Sequence, residues 1–314
     1  MARPSRAFVV DTHRRAHRPA PASLGWGIAA ELCCSVRSHV RVGLCRPHDR
    51  ASGRYCAFVI AVLGNLSRDL LPGEPPKTGG GPFHAARALN RLGAGTSPIY
   101  VRCADDDRAE LLPAFDAFGL PVEILSGEST ATFHLAYDGD QRTMRVDAIG
   151  DVWHPNDLPT IPSAIEWVQV AALARSDFPE PTLATLARNH KVLYDGQGLV
   201  RPAAVGPLVP DGGFDHRLLR HVTVLKLSDD EAAVVGDPEA LGVPEVLLTY
   251  GSRGATVIFD GKAIEISAVP VAADPTGAGD MFGAAYLSAR AAGEAPDEAA
   301  RRATDLVHGI LSDL

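Results

Sequence analysis

The residues with the most chemical content stand near the end of the chain, in Asp274-Pro-Thr-Gly-Ala-Gly-Asp280-Met-Phe282. Gly277, Ala278 and Gly279 have small side chains or none, so their backbone N–H groups can approach an anion. A helix opening there adds the positive end of its dipole. Asp280 falls in the first turn of that helix. A carboxylate so placed can take the proton from a hydroxyl as it attacks phosphorus, while the bare amides stabilise charge on the transferring group. The same string also fits a purely structural description: a glycine turn that starts a helix, with a first-turn acid favoured by the dipole.

Five other segments carry groups of a fitting kind. Gly79-Gly80-Gly81-Pro82-Phe83-His84-Ala85-Ala86 opens a stretch of helical apolar spacing that ends at Leu92-Gly93. Gly64-Asn65-Leu66-Ser67-Arg68-Asp69 follows an apolar run, and Asp69 offers a charged acceptor to hydroxyl groups. Leu225-Lys226-Leu227-Ser228-Asp229-Asp230-Glu231 places Ser228 and Glu231 as a capping box at a helix start. Thr249-Tyr250-Gly251-Ser252-Arg253-Gly254 has the glycines of a strand-turn-strand connection. Asp195-Gly196-Gln197-Gly198 ends a strand, which is where open α/β sheets place ligands.

Taken in chain order, all of these segments except Asp195–Gly198 resemble motifs of the ribokinase-like (PfkB) carbohydrate kinase family, over residues 57–314. The resemblance implies Asp280 as catalytic base and Gly277, Ala278 and Gly279 as the anion hole. It puts Asp69, Gly79 and Gly80 on the acceptor's hydroxyls, and Thr249, Gly251 and Gly254 beside the nucleotide. His84 stands where the family has Asn, either as an altered substrate contact or as a capping residue. Glu231 matches the acid that helps place magnesium, through water, and Ser228 stands where Asn is usual. Asn65 replaces the commoner acid of the first-strand segment. The cofactors implied are ATP and Mg²⁺; some members carry a monovalent cation, for which no motif marks a place. The chain stops soon after its last helix, where the family has an adenine-contacting segment, so ATP rests on the resemblance alone.

These groups need a scaffold, and the apolar pattern supplies one. Strands are expected at 57–63, 97–101, 167–173, 191–194, 222–227 and 246–250, with a hairpin over 256–259 and 263–266. Helices are expected at 82–92, 107–118, 180–189, 229–235, 277–292 and 297–312. Strands alternating with helices imply right-handed crossovers and a mostly parallel sheet covered on both faces. A hairpin at Ala131–Tyr137 and Thr143–Val146, turning at Asp138-Gly139-Asp140, interrupts that alternation. With strands from about 65–80 it forms a small sheet apart from the main one, matching the family's lid over the sugar. On that hairpin, Arg142 and Arg145 are either substrate contacts or solvated strand arginines. The fold class is therefore α/β, ribokinase-like, with residues 56–314 as the kinase domain and 1–55 as an N-terminal extension.

Composition bounds the rest. The chain has 314 residues and is 46% hydrophobic, enough for a sizeable core. Its net charge of −8 disfavours a nucleic-acid partner. No apolar run reaches the length that spans a bilayer. Residues 1–55 hold ten Arg against three acids, and Cys33, Cys34, Cys45 and Cys56 fall in or beside them. That stretch is a disordered tail, a transit peptide, or a small metal site with His39 or His48; no C-x2-C pair supports the last. The expectation is a cytoplasmic monomer or homodimer acting on a small sugar-like molecule. A nucleoside kinase on the same fold and a non-catalytic sugar or nucleotide sensor are the alternatives.

Overall fold

The computed structural model describes residues 59–138 and 141–314. The Arg-rich stretch, with its tail, transit-peptide and cysteine readings, lies outside the described residues, as does the turn at Gly139-Asp140.

The first apolar run forms β1 (Ala61–Asn65), and both of its faces are covered. Ile60 and Val62 enter one core, while Ala61 and Leu63 enter the other. That is why the run is continuously apolar instead of alternating. The chain then leaves the main sheet for β2 (Ser67–Leu70) and β3 (Lys77–Gly79) before returning as α1 (Gly81–Leu92). Pro82 in the first turn of α1 and Gly93 beyond its end match the ordinary helix start and stop. Next come β4 (Ile99–Arg102), α2 (Arg108–Leu111) and β5 (Val122–Leu125). The helix expected over 107–118 survives only as α2 between two 3-10 turns, because Pro113 cannot donate the next helical hydrogen bond.

The long hairpin is β6 (Ala131–Asp138) and β7 (Gln141–Ala148). The alternation then resumes with β8 (Trp167–Val170), α3 (Glu180–Leu186), β9 (Lys191–Asp195) and α4 (Gln197–Val200). A two-residue strand, β10 (Gly206–Pro207), precedes β11 (Val224–Ser228), α5 (Asp229–Val235) and β12 (Glu245–Thr249). The chain ends with β13 (Ala255–Phe259), β14 (Lys262–Ile266), α6 (Ala278–Ala291) and α7 (Pro296–Ser312).

Among the described residues the strands make two sheets. The nine-stranded sheet runs β14-β13-β12-β11-β9-β8-β1-β4-β5 and is parallel from β12 to β5, with β13 and β14 antiparallel at one edge. The core around α1, α6 and α7 covers one face, and the core around α3 covers the other. The five-stranded sheet runs β10-β7-β6-β2-β3. Its Ala131, Phe133, Leu135 and Val146 pack with Leu173 of the main body, which makes it a lid set against the sheet's edge. No described helix is long and apolar enough to cross a membrane.

Two hinges join lid and body, and Asn65 ties them together. Its side-chain Nδ2 donates to Asp151 O at 2.8 Å, and Trp153 Nε1 donates to its Oδ1 at 2.8 Å. Asn65 ends β1 where the chain enters the lid, and Asp151 follows β7 where it leaves. An amide can serve both roles because it donates and accepts; the acid usual at this position could not donate to a carbonyl.

Candidate active site

The parallel strands all end on one side, and the chemistry-bearing residues collect there. β9 ends in Asp195, β11 in Ser228 and β12 in Thr249, while α6 opens toward the same edge. α6 begins at Gly277, whose φ of +77° suits glycine and turns the chain so that the next residues start the helix. Asp280 is the third helical residue and is 7% exposed. The main-chain oxygen of Asp280 accepts from Gln169 Nε2 at 3.2 Å, which ties the first turn of α6 to β8.

The carboxyl of Asp280 lies among other charges. Burial pushes it up to about 7, the negative charge of Asp195 adds to that, and Lys226 and Arg201 pull it back. It is therefore poised near neutral pH, as a base needs to be. Lys226 extends from β11, and its Nζ is 2.8 Å from Asp195 Oδ2; both side chains are nearly solvent-free. Burial alone would lower the Lys226 ammonium, but Asp195, Glu231 and Asp280 around it reverse the sign and hold it above its usual value. A Cβ on Gly279 would stand 2.7 Å from Lys226 Nζ, so the ammonium flanks the first-turn backbone of α6 directly. Among these residues the arrangement is three carboxylates about one lysine.

Glu231 is held in place by its own helix. Its Oε2 accepts from Ser228 N at 2.8 Å, and its backbone N–H donates to Ser228 Oγ at 3.2 Å. The capping box and the position beside Lys226 thus coexist in one residue. Burial raises the Glu231 carboxyl as well. Among the described residues no group of three His, Cys, Asp or Glu is arranged to hold a metal ion. Were a hydrated magnesium ion brought here by a phosphate donor, Glu231 is the acid that could meet it through water.

The other expected residues fall into two places. Thr249 Oγ1 donates to Leu227 O at 3.2 Å, at the strand ends, and Gly251 and Gly254 form the turn that follows. Asp69 lies in the lid on β2, where Ser67 Oγ donates to its Oδ1 at 2.8 Å. A Cβ on Gly79 would collide with the Asp69 carboxylate, so the first glycine of the Gly79-Gly80 pair clears room for that acid. Gly80 caps α1 at φ +95°. The His84 imidazole lies against Gly277. Arg145 bonds Asp147 at 2.9 Å and is exposed, as a solvated strand arginine would be.

Sequence reasoning passed over Lys226 and Arg201 as members of the site, and placed the Asp195 segment at a ligand-bearing strand end without giving Asp195 a role. Arg201 follows α4, sits 6.0 Å over the Phe133 ring of the lid, and lowers the Asp280 and Glu231 carboxyls by its charge. With Phe133, Leu173 and Asp177 it lines a small cavity of about 10 Å³ between lid and body. Asp177, fully buried there, is pushed up to about 6 by burial and accepts from Leu173 N at 2.8 Å. A visible signal was available for Lys226: a single charge inside the apolar strand Val224-Leu-Lys-Leu-Ser228. A buried lysine needs a counter-charge, and Asp195 ends the neighbouring strand.

A match to the pfkB family carbohydrate kinase model spans residues 76–306. The chain belongs to that family. It is 30% identical over 255 residues to an inositol 3-kinase of Oryza sativa subsp. japonica, covering 75% of this chain and 61% of that protein. It is 28% identical over 277 residues to a fructokinase of Klebsiella pneumoniae, covering 79% and 89%. Among solved structures it resembles a pyrophosphate-dependent kinase in the ribokinase family, complexed with a pyrophosphate analog and myo-inositol. The TM-score there is 0.71 at 23% identity, covering 81% of this chain and 95% of the other. That likeness establishes the ribokinase-like fold: the large, mostly parallel sheet with helices on both faces and the second small sheet.

Proposed function

We propose that this PfkB-family protein transfers the γ-phosphoryl group of Mg·ATP to a hydroxyl of a sugar or sugar-like polyol. The observation that carries the reading is the Asp280 carboxyl, poised near neutral pH beside the bare amides of Gly277–Gly279 and the Lys226 ammonium. Asp69 and the Gly79–Gly80 turn hold the acceptor from the lid side. As the acceptor oxygen bonds to phosphorus, its proton passes to Asp280 and the bond to the leaving phosphate oxygen breaks. The α6 amides and Lys226 stabilise charge on the transferring group. Magnesium, when bound, neutralises the donor's phosphate oxygens. The Thr249–Gly254 turn borders the rest of the donor. The lid excludes water, the competing acceptor.

The acceptor class is drawn from the inositol and fructose kinases among the relatives. The test is donor consumption by the full chain with Mg²⁺, supplied with ATP or pyrophosphate and a panel of myo-inositol, fructose, ribose and adenosine. We expect ATP turnover stimulated by one polyol. D280N should lower that turnover by about 10³-fold while the polyol still raises the melting temperature. Equal turnover in D280N would refute the base assignment. Stimulation by adenosine alone would make the protein a nucleoside kinase, and pyrophosphate-only turnover would replace the donor.

A further inference from the structure

The N-termini of two long helices meet at this site, and each helix lays a side chain over the other's glycine. α1 starts after Gly80 and α6 after Gly277. Asp280, third in α6, has its Oδ1 2.6 Å from where a Cβ on Gly81 would stand. His84, fourth in α1, fills the space that a Cβ on Gly277 would need. The contact is reciprocal: α6 reaches over the start of α1, and α1 over the start of α6. His84 is 8% exposed, and its ring meets Phe83 edge-on at 5.3 Å. Phe83 packs on Phe115 at 5.6 Å and Phe118 at 5.6 Å, so the imidazole is backed by an aromatic cluster.

We propose that His84 is a positioning residue of the anion hole and not an acceptor ligand. This rests on reading Gly277–Gly279 as the anion site. The direction of those amides is set by the left-handed turn at Gly277, which has no side chain of its own to anchor it. The His84 ring supplies the anchor from α1. The Gly79–Gly80 turn that holds the acceptor is continuous with α1, so the same ring fixes the spacing between acceptor turn and phosphate turn. A ring of this size against bare backbone leaves little room for a shift. A displacement of about an ångström at a reacting centre is enough to cost on the order of a hundredfold in rate.

Affinity for inorganic sulfate, measured by isothermal titration calorimetry on the full chain, reads the anion hole without turnover. It is paired with kcat and acceptor KM for the polyol selected above. For H84A we expect sulfate binding about tenfold weaker, kcat about 30- to 100-fold lower and acceptor KM within about twofold. H84F keeps a ring but no hydrogen-bonding atom, and should hold sulfate within about threefold of the wild type. H84F also keeps the test decisive if H84A folds poorly. Wild-type sulfate affinity in H84A would overturn the proposal, as would an acceptor KM raised tenfold in H84F at unchanged kcat. A wild-type chain that binds no sulfate would instead overturn the anion-hole reading beneath it.

Discussion

The strand-end cluster and the lid are built from opposite materials. In the strand-end cluster, Asp195, Lys226 and Asp280 are buried and Glu231 is half-buried, each held on a strand of the main sheet or in a helix's first turn. The lid's inner side is Ala131, Phe133, Leu135 and Val146, while the Arg145–Asp147 pair on its other side is open to solvent. Buried charge in a fixed frame is expensive to assemble but stores electrostatic work for the reaction. The apolar lid face holds by area, and Arg68 of β2 adds ion pairs to Asp107 and Glu110 of the body at 2.6 and 2.7 Å. On the proposed function the difference would separate two tasks: the strand ends preorganised for phosphorus, and the lid covering the acceptor.

The comparison can be broken most sharply at Lys226. K226M leaves Asp195, Glu231 and Asp280 facing one another without their shared counter-charge. We expect a loss of about 3–5 kcal/mol in unfolding free energy and about 10²-fold in kcat. If the lysine is only a counter-ion, the double variant D195N/K226M should regain both; if it also serves the phosphoryl group, stability returns and kcat does not. Next in size is the hinge. N65A strands the Trp153 indole N–H and the Asp151 carbonyl, which should cost about 1–3 kcal/mol by chemical denaturation.

D280N sharpens the comparison from the stability side. The folded-state pKa of Asp280 lies above its unfolded value, so folding favours the protonated form. Native stability contributed by that proton is present at low pH and is lost as pH rises from about 4 through about 7. Asn stays neutral throughout. D280N should therefore be the more stable protein above pH 7, with the gain vanishing near pH 4, as read by melting temperature across that range. The smallest effect belongs to the lid's outer face. R145A and D147A, whose exposed pair is open to solvent, should each change stability by no more than about 0.5 kcal/mol and leave turnover unaltered.

The same contrast explains what could be read from the chain. The turn and helix start within Asp274–Phe282 were legible because they are local: the glycine turn and the first-turn acid are neighbours in sequence as well as in space. α5 at Asp229–Val235 was legible because its capping box states its own start. The helix over 107–118 was misread because apolar spacing outvoted Pro113. The Lys226–Asp195 pair joins two strands separated by a helix and a long loop, and neither residue announces the other. Arg201, beyond the end of α4, carries no local pattern that would mark it either. The place of His84 on Gly277 depends on how two helices nearly two hundred residues apart are set together, which no local pattern encodes.

The direct test of the whole account is the pH dependence of kcat/KM for the wild-type chain, which reports the free enzyme's base. We predict an acid limb with unit slope centred near pH 7, falling tenfold per pH unit below it, and absent from the residual rate of D280N. A wild-type profile flat down to pH 5 would mean that the carboxyl at position 280 is not the group that takes the proton.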